Sequence, residues 1–397
     1  MGGMRHIGDE ERRVRLALAH RLAPRARAGG AEEVARSLVA LHGTDPATVY
    51  LAVGARLTDP GATVADVERA LYEDQTLVRM HGMRHTVFVF PTELAATVHA
   101  STGLAVAAKA RAALVKDLAT GSGGRLTAEW LTDVEASALR ALQRRGQATV
   151  SELVRDEPRL REQFTYGRGK SYEAEQTVSS RLMRVLGVEG RVVRGRPLGS
   201  WTSTRFRWAV MPPHPELPVA AAQSDLLRRW LAVCGPATEA DLKWWTGWKV
   251  TEVRRALGAV GAVEVSLDGG GAVGYVLPDQ LDAPEGDFEP FAALLPGLDP
   301  TAMGWQERDW YCPPELRPDL FDRSGNIGPT VWWGGRIVGG WGQRADGAVV
   351  WRLLDTSGGA AARRAVTEEA ARLTSWLDGV RVTPRFRTPL ERELAEG

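Results

Sequence analysis

The stretch Leu38-Val39-Ala40-Leu41-His42-Gly43-Thr44-Asp45-Pro46 sets an imidazole, a hydroxyl and a carboxylate within four positions of one another. Such a trio could take a proton from a water and orient it, because a histidine ordinarily titrates near ~6.5 and is neutral above that. The competing reading is that His42 packs and Asp45 caps the next helix, as aspartate before a helix often does. Further basic groups recur on what read as hairpins and helices. These are Arg79, Arg84 and His85, then Arg194 and Arg196, then Arg254 and Arg255. Exposed arginines in such places are the side chains that touch phosphates. His42, His81 and His85 have no cysteine or carboxylate at ligand spacing, so a polar hairpin surface is preferred to a metal site. Arg168-Gly169-Lys170-Ser171 resembles the end of a phosphate loop, but its first glycine would fall on Phe164, which excludes it.

The elements that must position these groups can be read from periodicity. Val34, Leu38 and Leu41 make an apolar helical face over 31–42 that runs into Gly43, where the backbone is freed. Asp45-Pro46 restarts a helix over 47–57, which would place His42, Thr44 and Asp45 at a helix–loop–helix junction. Helices are also expected over 9–22 and 64–72, and 77–90 reads as two strands around Gly82. Helices followed by a hairpin recur. The second copy has helices over 127–145, 149–154 and 172–186, with a basic hairpin from 191–196 and 205–210. The third has helices over 220–233, 239–245 and 249–257, with Thr238 as cap. Lys249, Arg254 and Arg255 lie on its last helix, and strands over 263–267 and 272–277 flank a turn at 268–271. From residue 291 the pattern becomes short strands, 330–333, 336–341 and 349–354, parted by Gly334-Gly335 and Asp346-Gly347. A helix over 361–377, a last strand over 380–386 and a frayed tail from Thr388 complete the chain. The expected fold is α+β. Winged-helix modules span 9–120, 127–212 and 219–278, and a small antiparallel sheet capped by a helix spans 288–388.

Composition removes several classes. A 397-residue chain with 44% hydrophobic and 25% charged residues suits a multi-module globular protein. Cys234 and Cys312 sit in no paired spacing, which argues against a disulfide scaffold and fits a reducing cytoplasm. Neither an apolar leader nor an 18-residue apolar run is present, so no membrane association is expected. The net charge of +1 conceals a separation: 15 basic against 7 acidic residues over 140–207, and 3 against 11 over 279–323. A nucleic-acid footprint is local, so near-neutrality does not exclude one. Trp244, Trp245 and Trp248 could stack on bases, with core packing the commoner role. Asp299, Arg323 and Asn326 could line a pocket or fix turns, and Cys312 has no base nearby in sequence.

Taken with Tyr50-Leu51-Ala52-Val53-Gly54-Ala55-Arg56-Leu57, the His42 stretch resembles the bacterial winged-helix DNA glycosylases of the AlkZ and YcaQ type. Met83-Arg84-His85-Thr86-Val87-Phe88-Val89, Leu294-Leu295-Pro296-Gly297-Leu298-Asp299-Pro300, Arg323-Ser324-Gly325-Asn326 and Gly335-Arg336-Ile337-Val338-Gly339-Gly340-Trp341 carry the same resemblance, over roughly 10 to 385. It implies hydrolysis of the N-glycosidic bond of alkylated or bulky-adducted purines in duplex DNA, crosslinks included, with no metal or cofactor. The family's Gln-x-Gln or Gln-x-Asp signature is matched in place by His42-Gly43-Thr44, a departure at both catalytic positions. On this reading His42 accepts a proton from water, Thr44 orients that water and Asp45 stabilises charge on the sugar. Arg79, Arg84 and His85 lie beside the site, and Arg194, Arg196, Arg254 and Arg255 contact DNA. The expected protein is a cytoplasmic, nucleoid-associated monomer. The alternative is a non-catalytic winged-helix protein, a regulator or damage sensor, and a protein–protein adaptor is a third class.

Overall fold

A computed structural model describes residues 3–269, 271–284 and 289–397. Gly270, within the expected third hairpin turn, and Phe288, where the C-terminal domain was expected to begin, lie outside the described residues. The architecture is mixed α and β, with small, mostly antiparallel sheets.

The chain enters through a short strand, His6–Ile7, and a helix, Asp9–Ala19. Helix α1 is Ala31–Leu38, strand β1 Leu41–His42 and helix α2 Pro46–Gly54. After the helix Thr63–Tyr72 come β2, Leu77–His81, and β3, Val87–Pro91. Strand β3 is central, with β1 and β2 antiparallel on either side of it. Helical turns from Ala95 lead through a π-helical turn at His99–Gly103 into the helix Leu104–Gly121, elements the sequence pattern did not reveal.

The middle segment has helices Ala128–Arg145 and Val150–Asp156, capped by the side chains of Thr127 and Thr149. Helix α3 is Val178–Val188, β4 Val192–Pro197 and β5 Phe206–Val210. The helix expected over 172–186 starts later, because residues 163–166 and 174–177 pair as an antiparallel hairpin. Gly167 and Gly169, both at positive φ, allow its turn.

Helices α4, Val219–Cys234, α5, Glu239–Thr246, and α6, Val250–Val260, lead into β6, Val263–Leu267, and β7, Val273–Val276. His6–Ile7 adds to β6 in parallel, so the amino terminus joins this third hairpin.

Strands β8, Ala292–Leu295, β9, Thr330–Trp333, β10, Arg336–Gln343, and β11, Val349–Leu353, form a sequential antiparallel sheet. Helix α7, Gly359–Leu377, packs on it. Two expectations are corrected here. Residues 380–386 form no strand, because the Gln343 side chain bonds their backbone, accepting from Val382 N at 2.8 Å and donating to Val380 O at 3.0 Å. The tail is ordered, as helix α8, Pro389–Glu396, which buries Leu390 and Leu394 against β10.

The cores cross the sequence boundaries. One cluster joins Leu16, Phe88, Trp230, Trp245, Trp305 and Trp332. A second joins α1 and α2 to the four-stranded sheet and α7. Residues 114–208 hold a third of their own. The two shared cores fix the first segment against the third and the last, and a cavity opens at that junction. Among the described residues no helix is long and apolar enough to cross a membrane.

Candidate active site

His42 stands on a strand rather than at a helix end. Helix α1 stops at Leu38 because Val39 takes φ 62°, ψ −46°, and Ala40 N donates to Leu38 O at 2.6 Å. That γ-turn is a strained conformation for a β-branched residue. It reverses the chain into β1, where Leu41 pairs with Val89 and His42 with Phe88. Gly43 continues the pairing, donating to Val87 O at 2.8 Å. A Cβ there would meet Phe88 backbone atoms at 3.2 and 3.3 Å, so the glycine serves close approach of two chains.

The trio is then separated, because β1 ends at His42 and the chain bends through Thr44 into the cap of α2. His42 faces a cavity of about 630 Å³ whose walls include Arg84, Phe88, Trp244, Arg308 and Asn326. Asp45 is buried, and its carboxylate accepts from Ala47 N at 3.2 Å and Arg385 N at 3.0 Å. It caps α2 and lines a separate, smaller cleft by Trp341 and Gln343. Thr44 is half-buried between them and is not among the cavity's lining residues.

Burial first, and then the Arg84 charge, pushes the His42 imidazole down to about 4, so it is neutral at physiological pH. Its Nδ1 is buried without a hydrogen-bond partner, and the ring meets Phe88 edge-on at 5.4 Å. Arg84 sits at the tip of the β2–β3 hairpin, where both Arg84 and His85 have positive φ. Its guanidinium lies 4.2 Å over the Trp244 ring, and Arg308 approaches the same ring at 5.1 Å. Gly247 makes room, since a Cβ there would meet Arg84 Cγ at 3.1 Å. Among the described residues neither Arg84 nor Arg308 has a carboxylate partner, so the cavity wall carries uncompensated positive charge.

The back of the cavity is rigid. His20 is fully buried, held neutral by burial and then Arg56, which bring it to about 3; its Nδ1 meets Thr301 Oγ1 at 2.9 Å. Arg56 in turn binds Asp299 twice and Thr301 once. Asp299 is therefore a buried structural partner and not a pocket residue. Asn326 lines the cavity while its amide donates to Asp322 at 2.9 Å. Trp245 and Trp248 are core residues, and only Trp244 of the three is half-exposed. Reading α5 as amphipathic could have separated Trp244 from Trp245, whereas Arg308 gave no signal in its acidic surroundings.

The remaining basic residues divide. Arg79 is buried. Arg194 stacks 4.6 Å over Phe206. Arg196 bridges Glu68 at 3.2 Å and Glu73 at 3.0 Å, Arg254 pairs with Glu239 at 2.6 Å, and Arg255 donates to Gln223 at 2.5 Å. His85 is exposed at the hairpin tip, and His81 packs against Gly187, away from His42. Among the described residues no three groups are arranged to hold a metal ion.

Residues 35–376 match the family described as DNA glycosylase AlkZ-like. No curated protein matches the sequence. Among solved structures, the Streptomyces sahachiroi DNA glycosylase AlkZ is similar at 21% identity and a TM-score of 0.67, over 94% of this chain and 98% of that one. At that identity the likeness speaks to fold.

Proposed function

The chain belongs to the AlkZ-like DNA glycosylase family, and we propose that it hydrolyses alkylated or bulky-adducted purines at the His42 cavity. The observation that carries the reading is a half-buried, neutral imidazole on a cavity with an aromatic floor and cationic walls. A purine inside a duplex cannot reach such a recess, so the lesion nucleotide leaves the stack and its base takes the Trp244 side.

Alkylation at N3 or N7 gives the purine a positive charge that weakens the glycosidic bond. Water then attacks the sugar carbon, the C–N bond breaks with its electron pair going to the purine, and the proton of the water passes to His42. The base leaves neutral. A histidine held near about 4 is a weak base, sufficient where the leaving group departs readily. Thr44 does not line this cavity, and its assignment as the residue that orients the water is what Thr44→Ala tests. Asp45 acts through the backbone, holding the start of α2 through Ala47 N and residue 385 through its N. Hydrolysis of this kind calls for no metal or cofactor.

The three helix–hairpin segments act as tandem winged helices on duplex DNA, with segment limits near 9–120, 127–212 and 219–278 and the sheet segment after them. Arg196, Arg254 and Arg255 reach phosphates by exchanging their present partners. The protein works as a cytoplasmic monomer on the nucleoid.

The test is base release from duplex DNA carrying N7-methylguanine, by the unaltered protein, His42→Ala and Thr44→Ala. Loss of release by about 100-fold in His42→Ala, at the low end of general-base contributions, supports the assignment. Release that survives both substitutions moves the chemistry elsewhere. Duplex binding without release of methylated, bulky or crosslinked bases would favour a damage sensor or regulator.

A further inference from the structure

Four arginines gather beside the candidate site with no counter-charge. Arg79, from β2, is 4% exposed, and its Nε and Nη2 are buried without partners. Arg194, from β4 across the interface, also has a partnerless buried Nε. Its guanidinium is pushed down to about 10 by burial and then by Arg79, Arg385 and Arg184 in turn. Arg184, on α3, and Arg385, just after residues 380–384, are exposed and carry the cluster to the surface. Among the described residues none of the four forms an ion pair. Glu68, which shares the surroundings of Tyr50 with Arg79, is occupied by Arg196 at 3.2 Å.

A buried guanidinium beside three like charges is unfavourable in the free protein, and its two orphaned donors are unfavourable again. Natural proteins keep such an arrangement where a ligand completes it. The ligand must be anionic, must accept several N–H bonds from planar forks, and must reach the site from the solvent side of Arg184 and Arg385. Its place relative to the site is given by Arg385, whose backbone N bonds Asp45 and whose guanidinium approaches Thr44 O at 3.4 Å.

We propose that Arg79, Arg184, Arg194 and Arg385 form a binding site for a backbone phosphodiester of duplex DNA, anchoring the strand whose nucleotide enters the His42 cavity. This rests on the proposed function for the nature of the strand, but its binding is measurable on undamaged DNA. The cluster draws on the first segment, the second and the C-terminal one, so a phosphate there ties all three to one strand.

The experiment is fluorescence anisotropy of an undamaged duplex, titrated at several salt concentrations. It compares the unaltered protein, Arg184→Gln with Arg385→Gln, and Arg364→Gln, which alters an exposed arginine of α7 that forms no ion pair among the described residues. The double variant should bind about tenfold more weakly at ~0.1 M salt, with the salt slope reduced by about one, and the control should match the unaltered protein. Arg79→Met adds a readout that packing alone would not give: the free protein should melt no lower than the unaltered one, while the stabilisation given by added duplex shrinks. Unchanged affinity and slope in the double variant would overturn the proposal. So would a double variant that loses competition by inorganic phosphate but keeps its duplex affinity, which would mark a free-anion site. If the slope changes as expected while no protein releases a base, the phosphate site stands and the glycosylase assignment of His42 fails.

Discussion

The Arg56 guanidinium grips the Asp299 carboxylate at 2.9 and 2.7 Å, and neither side chain has any exposure to solvent. The remaining donors of Arg56 reach His20 O, Ala52 O and Thr301 Oγ1, so the group is fully satisfied. Removing one partner strands a buried charge. Asp299→Asn and Arg56→Met should each lower stability by about 3–5 kcal/mol in urea unfolding at neutral pH. The double change Arg56→Met with Asp299→Leu should cost clearly less than the two single losses together, because no lone charge remains. Equal additivity would show that the pair contributes nothing as a pair.

Two buried imidazoles and one half-buried one make stability fall on the acid side. His20 is lowered to about 3, His42 to about 4 and His81 to about 4, each chiefly by burial. A folded value below the ordinary 6.5 means that the unfolded chain binds more protons between the two. Stability from this source is complete above 6.5 and is lost as pH falls towards 4, at up to about 1.4 kcal/mol per pH unit for each histidine. Chemical unfolding at a series of pH values should show this decline, and His81→Gln should make the slope shallower by about one histidine's share.

Burial chiefly sets the acid limit of the reaction, and Arg84 should shift it further. Its charge disfavours protonated His42, so Arg84→Ala should raise the His42 value and move the acid limb of the kcat/KM profile to higher pH. Arg84→Lys keeps the charge and loses the planar stack on Trp244, so the limb should stay in place while KM rises. A limb that moves equally in both variants would assign the effect to hairpin disruption.

The contrast between what could be read from the chain and what could not follows from where the decisive forces act. One helix end with a side-chain cap was legible: Thr238 accepts from the backbone as expected, and β2, β3 and β9 to β11 sit within or close to the runs read as strands. The turn at Val39 was not, because a positive φ at a β-branched residue contradicts local preference and is imposed by the pairing of β1 with β3. That single misreading put His42 on a helix end and grouped Asp45 with it, when His42 ends β1 and Asp45 caps α2. Arg308 and Trp244 meet only in three dimensions, across residues separated by a whole hairpin and loop, so no spacing announced them.

Trp244 supplies the flat face on which an extruded base or its planar substituent would lie. Stacking of a base on an aromatic ring contributes about 1–3 kcal/mol, so Trp244→Ala should reduce kcat/KM for base release by roughly 10- to 100-fold. Trp244→Phe should recover part of that. Because Trp244 is half-exposed, unfolding curves of both variants should shift little. A large stability loss with unchanged kcat/KM would return Trp244 to the core-packing role of Trp245.

The carboxyl-terminal helix α8 should be a structural element, against the expectation of a frayed tail. Leu390 is 2% exposed and Leu394 8%, one helical turn apart on the same face. They lie over glycines of β10: a Cβ at Gly340 would meet Leu390 Cδ2 at 2.8 Å, and one at Gly342 would meet Glu391 O at 3.2 Å. The glycines thus let the helix backbone approach the sheet, and Arg387 holds Glu391 at 2.7 Å across the first turn. Leu390→Ala should cost about 2–5 kcal/mol by removing a buried side chain. Gly340→Val should cost at least as much by pushing the helix off the strand. Termination after Arg387 should expose the Gly340 face and lower the melting temperature. A truncated chain that melts with the full-length one would show that α8 contributes no net stability, and that the sheet beneath it, with the Gln343 bonds to residues 380 and 382, is sufficient by itself.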